Sequence, residues 1–254
     1  MTRFVMVVNM AGNDDLKVYR GEDYVINDSV KIHQCTLGEI CDFGEQRYFS
    51  LIYTLTSTPT DMKYILFLND IDWNEISDFE LFMMQYTSLD MEDTQILFGD
   101  LDFSKYKIYL NQENEEPCIY NPETDSVIDK SVYELIVSYL RKSHCLKKNV
   151  ERAMTETTKE VLIEEAKEQY EENLNKKYKS MLIPSISTMI NMDGFNYTHE
   201  TIWDIKINAF MDSVNKIQKI KKANLLLQSG YSGFGVDLNK VNKKDLNYFS
   251  GSDD

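Results

Sequence analysis

The chain has 254 residues, of which 42 are acidic and 27 basic, for a net charge of −15; 43% are hydrophobic and 12% aromatic. That is enough apolar material to bury a real core, in one large domain or two small ones, and it excludes wholesale disorder. The charge is local: from Asp61 to Asp125 there are 16 acidic side chains against three basic ones, Lys63, Lys105 and Lys107, so 13 of the 15 net charges fall in about a quarter of the length.

A field of one sign speeds encounter with a basic surface and repels phosphate, so direct nucleic-acid binding is not expected. The apolar stretch Phe4 to Met10 is interrupted by Asn9 and has only Arg3 as a basic lead-in. It is too short to span a bilayer or to act as a good secretory leader, and the chain reads as soluble, cytoplasmic and without membrane contact. Cys35, Cys41, Cys118 and Cys145 form no C-x-x-C pair, which points to free thiols in a reducing compartment and away from a zinc site. The sequons at Asn27-Asp28-Ser29 and Asn196-Tyr197-Thr198 carry no meaning without secretion.

Residues 1–34 read as an irregular or strand-rich arm, with β-prone runs at Phe4–Val8 and Tyr24–Ile32 and turns at Asn13-Asp14-Asp15, between Gly12 and Gly21. Residues 35–145 form the second part, an acidic helical unit carrying a β-meander. Thr36 and Glu39 have the capping-box spacing, and Phe49, Ile52, Tyr53 and Leu55 fit a helix running to about Thr56, although the Thr and Tyr content would also suit a strand. Thr58-Pro59 reads as N-cap and first helical residue of a helix ending near Asn69. Asp72 to Glu75 repeats the box ahead of Ile76, Phe79, Phe82 and Met83.

From Thr94 the period changes. Ile96–Phe98, Lys107–Leu110 and Cys118–Tyr120 are short β-prone runs, with turns at Gly99, Asn111–Pro117 and Asn121-Pro122 to Asp125, and they predict a two- or three-stranded antiparallel meander at about 94–128. Val132, Leu135, Ile136, Tyr139 and Leu140 then mark a strong helix with Asp129 as N-cap and Arg141, Lys142 and His144 as cations at its end.

The third part, residues 146–254, is helical. A Glu- and Lys-rich helix with a thin apolar stripe lies between Asn149 and Lys179, Pro184 interrupts the next helical pattern, and Asn191–Gly194 is a turn. Thr198 caps a helix from His199, and a longer helix carrying Ile207, Phe210, Met211, Val214 and Ile217 ends at Gly230 as a left-handed C′ residue. The tail from Ser250 reads as frayed. Together these elements predict a predominantly helical α+β protein with a small antiparallel meander inserted.

No stretch matches a catalytic motif. Asp70, Asp72 and Asn74 imitate half a calcium loop, but Glu75 stands where glycine is needed and Leu81 where the bidentate glutamate belongs, so helix capping is the simpler reading. Asp100 and Asp102 would share one face of a strand about 7 Å apart, a spacing that suits magnesium or a metal-dependent hydrolase, or a solvated strand end. His144 and Cys145 are adjacent and on a helix point about 100° apart, which is not a dyad. Gly230, Gly233 and Gly235 follow a helix instead of opening one and mark a stop, and Lys240, Lys243 and Lys244 behind them suit an acidic neighbour or water. No cofactor is implied, nor any catalytic or metal-ligating residue. The candidate site is an acidic docking face at Asp90, Glu92, Asp93, Asp100 and Asp102, read against a surface that only keeps the protein dispersed.

Several stretches carry a resemblance: Ile32–Ile40 with Phe43–Glu45, Phe98–Asp102, Val127–Asp129 with Tyr139–Arg141, and Phe210–Val214 with Ile217 and Gln218. Tyr231–Gly233, Val236-Asp237, Lys240–Lys243 and Leu246-Asn247 continue it. In these the chain resembles proteins encoded by tailed phages and prophages of Gram-positive bacteria, across most of its length beyond residue 30. The resemblance implies a non-enzymatic role in virion morphogenesis, as a tail structural component or tail assembly chaperone, with other phage proteins as partners, in the host cytoplasm or the virion. A homo-oligomer is compatible with it, although no heptad repeat dictates a number. The alternative expectation is an acidic phage-encoded inhibitor that occupies the nucleic-acid site of a host protein.

Overall fold

The computed structural model describes residues 14–111, 115–232, 235–238 and 240–249. The expected strand at Phe4–Val8 and the tail from Ser250 lie outside them. Among the described residues the chain is mainly helical, with a two-stranded hairpin and a three-stranded antiparallel sheet, the α+β class expected.

The arm opens with helix α1 (Asp14–Tyr19) where a turn was expected, because Val18 packs against the core and the Tyr19 hydroxyl donates to Asp212 at 2.9 Å. Gly21, at φ 100°, turns the chain into strands β1 (Tyr24–Val25) and β2 (Lys31–Ile32). The Asn27 side chain closes their loop by accepting the Ser29 and Val30 N–H groups at 2.9 and 2.8 Å.

The Thr36–Glu39 capping box forms and opens α2 (Leu37–Phe43). The single helix expected to run to Thr56 is broken at Gly44, whose φ of 102° a side-chain-bearing residue resists, and α3 (Glu45–Thr56) follows. Thr58 and Asp61 exchange hydrogen bonds around a turn, so α4 (Lys63–Leu68) begins beyond Pro59 and stops before Asn69. Asp72 closes a local turn with the Asn74 N–H and pairs with Lys159, so the second capping box is instead Ser77 with Glu80, opening α5 (Asp78–Gln85).

The run Ile96–Phe98 is not a strand. It ends helix α6 (Met91–Phe98), in which Thr94, Leu97 and Phe98 are buried at helical spacing and Glu92 and Asp93 occupy the first turn, where the dipole favours anions. Core packing here overrides the β preference of Ile and Phe. The meander therefore starts at 107, with β3 (Lys107–Leu110), β4 (Pro117–Asn121) and β5 (Ser126–Ile128) in the order β3-β4-β5.

Asp129 caps α7 (Lys130–Ser143) by accepting the Val132 N–H at 2.8 Å, and this helix buries Tyr133, Ile136, Val137, Tyr139 and Leu140. Helix α8 (Glu156–Leu174), capped by Thr155, buries no residue of its own. Pro184 does not interrupt a helix: it lies in the first turn of α9 (Leu182–Ile190), where its missing N–H is not needed. Thr198 bonds with Thr201 ahead of a short 3-10 turn at Ile202–Asp204, not a longer helix from His199. Helix α10 (Ile207–Tyr231) continues through Gly230, which stays out of the left-handed region, and α11 (Lys243–Leu246) closes the described chain.

One main core draws on every part of the chain: Val30 and Ile32 from the arm, Leu37, Tyr48, Leu97, Phe103, Ile119 and Ile136 from the middle, and Ile186 and Phe210 from the C-terminal helices. Full burial of Phe103 or Phe210 contributes about 2 kcal/mol each by area. The two ends of this core are tied by backbone. Thr36 bridges Lys206, the Leu37 N–H donates to Ile205 at 3.0 Å, and the Ile207 N–H donates to Cys35 at 2.9 Å. A second, smaller core of Leu66, Trp73 and Leu81 receives Leu162 and Ile163 of α8. Among the described residues no helix is long and apolar enough to cross a membrane.

Candidate functional site

The five acids expected to form one docking face fall into two groups at the ends of α6. Asp90, Glu92 and Asp93 surround its N-terminus, and Asp100 and Asp102 follow Gly99 at its C-terminus. Eight residues of helix separate the groups by about 12 Å. The first group is partly neutralised: Arg47 pairs with Asp93, lies 3.9 Å from Glu92 and is stacked over the Phe43 ring at 4.5 Å.

Asp100 and Asp102 are not on a strand, so the shared strand face expected for them does not form. The chain leaves helical geometry at Gly99, whose φ is 60°, and Asp102 becomes the N-cap of a 3-10 turn at Phe103–Lys105, accepting the Ser104 N–H at 3.0 Å and its hydroxyl at 2.7 Å. What the two acids do share is a cleft of about 510 Å³ along the Met91 and Phe98 side of α6. Asp28 of the β1–β2 loop, Lys31 and Lys105 complete its rim. Both lysines are engaged sideways, Lys31 with Asp23 at 2.8 Å and Lys105 with Glu123 at 2.6 Å, which leaves the cleft with an acidic balance over an apolar wall. Sequence pattern did not place Asp28 here, because the hairpin that carries it is about 70 residues away along the chain.

The groups most like catalytic machinery lie elsewhere and are sealed. His144, at the end of α7, is buried: its Nδ1–H donates to the Leu140 carbonyl at 2.8 Å and its Nε2 accepts from the Tyr48 hydroxyl at 2.8 Å. Burial pulls its pKa down to about 4, so the helix-end cation expected from sequence is a neutral imidazole. Cys35 lies beside Tyr48 and donates to the Ile96 carbonyl at 3.4 Å, and burial pushes its thiol up to about 12. A protonated thiol and a neutral histidine, both inside the core and each bonded to a backbone carbonyl, offer no nucleophile. Cys35, Tyr48 and His144 are far apart in sequence, so no local spacing signals their meeting.

The half calcium loop does not assemble either, since Asp72 is bonded to Lys159 and to its own turn. Among the described residues no group of three or more His, Cys, Asp or Glu side chains is arranged to hold a metal ion. The four cysteines are free thiols, Cys35 and Cys118 buried, Cys41 and Cys145 exposed.

A second exposed feature is β3, whose four residues are all exposed. Ile108, Tyr109 and Leu110 are 57%, 44% and 68% accessible, an unusual density of apolar side chains on an edge strand. The sequence run predicts a strand here, but not that both of its faces stay open.

No family model, no curated protein and no solved structure matches this chain.

Proposed function

We propose that the chain is a non-enzymatic morphogenesis protein of a tailed phage or prophage, a tail structural component or tail assembly chaperone that works by binding other phage proteins. The observation that carries this reading is the cleft beside α6, where Asp28, Asp100 and Asp102 stand over Met91 and Phe98. An acidic rim over an apolar wall suits an extended segment of a partner protein that carries Lys or Arg next to an apolar side chain. The resemblance to phage proteins supplies the setting. The surrounding negative field would draw a basic partner in, and Met91, unbranched and polarizable, would adapt to its side chains.

The test is an affinity pull-down of the tagged chain from infected or induced cells, with mass spectrometry, run beside an Asp28→Lys/Asp100→Lys variant. Recovery of tail or capsid proteins by the wild type and their loss from the variant is the expected result. Peptides of this chain abundant in purified particles would mark a structural component, and their absence a chaperone.

The inhibitor reading draws on the other group, Asp90, Glu92 and Asp93, which presents carboxylates at the exposed start of a helix. Recovery of a host nuclease or polymerase, lost on Asp90→Lys/Glu92→Lys and kept on the cleft variant, would favour it.

A further inference from the structure

The open edge of the three-stranded sheet has a hydrogen-bonding pattern that matches itself. In an antiparallel ladder, hydrogen-bonded and non-hydrogen-bonded pairs alternate. The Asn111 N–H donates to Glu116 at 2.9 Å, and the register Tyr109↔Cys118 and Lys107↔Tyr120 continues from that pair. Residues 107, 109 and 111 therefore turn their backbone groups toward β4. Ile108 and Leu110 turn theirs outward, where among the described residues the strand order leaves no neighbour. Pro117, which has no N–H to give, stands opposite Leu110, at a pair where none is required.

We propose that this edge pairs with the same edge of a second copy of the chain, about a two-fold axis through Tyr109, to make a continuous six-stranded antiparallel sheet. In that register Ile108 lies opposite Leu110 of the second copy, and Leu110 opposite its Ile108. Each pair exchanges two backbone hydrogen bonds, four in all, and every outward group of Ile108 and Leu110 is satisfied. The exposed Ile108 and Leu110 side chains meet on one face of the joined sheet, and the two Tyr109 rings meet on the other.

Charge favours the same arrangement. Lys107 stands at the start of the strand and makes no ion pair among the described residues, while the exposed Glu115 and Glu116 stand just past its end, with the Glu115 N–H folded back onto Asn111 at 2.9 Å. Antiparallel pairing sets each Lys107 opposite Asn111 of the other copy, beside those glutamates. A parallel pairing would set lysine against lysine and glutamate against glutamate. A four-residue strand makes a small interface, so the dimer is expected in the micromolar range rather than as an obligate assembly. This edge is separate from the cleft beside α6, so the inference stands or falls independently of the function proposed above.

Sedimentation velocity across the micromolar range should show a monomer–dimer equilibrium that shifts to monomer in Ile108→Pro, which removes an outward N–H and no bond to β4. Circular dichroism identifies a variant that has merely unfolded. The register is read by cysteine cross-linking in a Cys41→Ser/Cys118→Ala/Cys145→Ser background, since Cys118 stands opposite position 109 within the same sheet. Two cysteines at position 109 would face each other at a non-hydrogen-bonded pair, with Cα atoms about 4.5 Å apart and within disulfide range. Cysteines at position 107 would lie more than about 13 Å apart. Rapid disulfide dimers from Tyr109→Cys and none from Lys107→Cys is the expected result. A wild type that stays monomeric throughout, a folded Ile108→Pro that still dimerises, or equal cross-linking at 107 and 109 would overturn the proposal.

Discussion

His144 shows how one side chain can be read correctly for position and wrongly for state. Its place at the end of α7 is legible from the Val132–Leu140 period, and a protonated imidazole there would complement the helix dipole. Tyr48, on α3, covers it instead, and the neutral form wins. An ordinary histidine in the unfolded chain titrates near 6.5 and the folded one near 4, so between those values the unfolded state binds the extra proton. The stabilising contribution is therefore complete above pH 6.5 and is lost as pH falls toward 4, by about 2 kcal/mol at pH 5. Asp23 and Glu39 act lower. Burial pushes both carboxyls up, but bonds from Lys31, the Gln34 N–H and His33 to Asp23, and from Thr36 and His33 to Glu39, outweigh it and hold both below their usual values. They begin to matter only as pH drops through the ordinary carboxylate range. Urea midpoints at pH 7 and pH 5 should thus differ in the wild type, and the difference should shrink in His144→Gln. The thiols give a second check: with a disulfide reagent Cys41 and Cys145 should react in the native protein, and Cys35 and Cys118 only after unfolding.

Among the elements, the helices with strong local signals were legible: α2 from Thr36 and Glu39, α7 from Asp129 and its apolar face, and α8 from its thin stripe. The misreadings share a cause. Residues 96–98 look like a strand and pack as a helix because Leu97 and Phe98 fill the core, and the second capping box was placed at Asp72 because nothing local announces Lys159 as its partner. Gly44 is the opposite case, a single residue that divides two helices by its φ of 102°. Gly44→Ala should destabilise the protein by about 1–3 kcal/mol in chemical denaturation, with the helical signal otherwise intact. Helix α8 buries nothing fully and leans on the small core through Leu162 and Ile163. Its amides should exchange with solvent well before those of α7, and Leu162→Asp should raise that exchange without lowering the global transition much.

On the scale of the whole molecule the acidic segment was plain from composition, but its subdivision was not. Counting charges cannot show that Arg47 is spent on Asp93, that Asp102 is a cap, or that Asp28 comes from another part of the chain to join Asp100. If the cleft receives a basic partner, rising salt should slow association far more than it speeds dissociation, and Asp100→Lys should act mainly on the association rate, both read by stopped-flow or surface binding kinetics.

The backbone tie between Thr36 and Lys206 sets an order of events during synthesis. The strand-like partner that completes the hydrogen bonds of the hairpin and α2, and the Phe210 side chain that closes the core beneath them, are translated about 170 residues after them. At ordinary elongation rates that is a wait of about 10–30 s with an open apolar surface. Final closure of this core therefore waits on translation of residues 205–210, rather than on the stability of any helix already made.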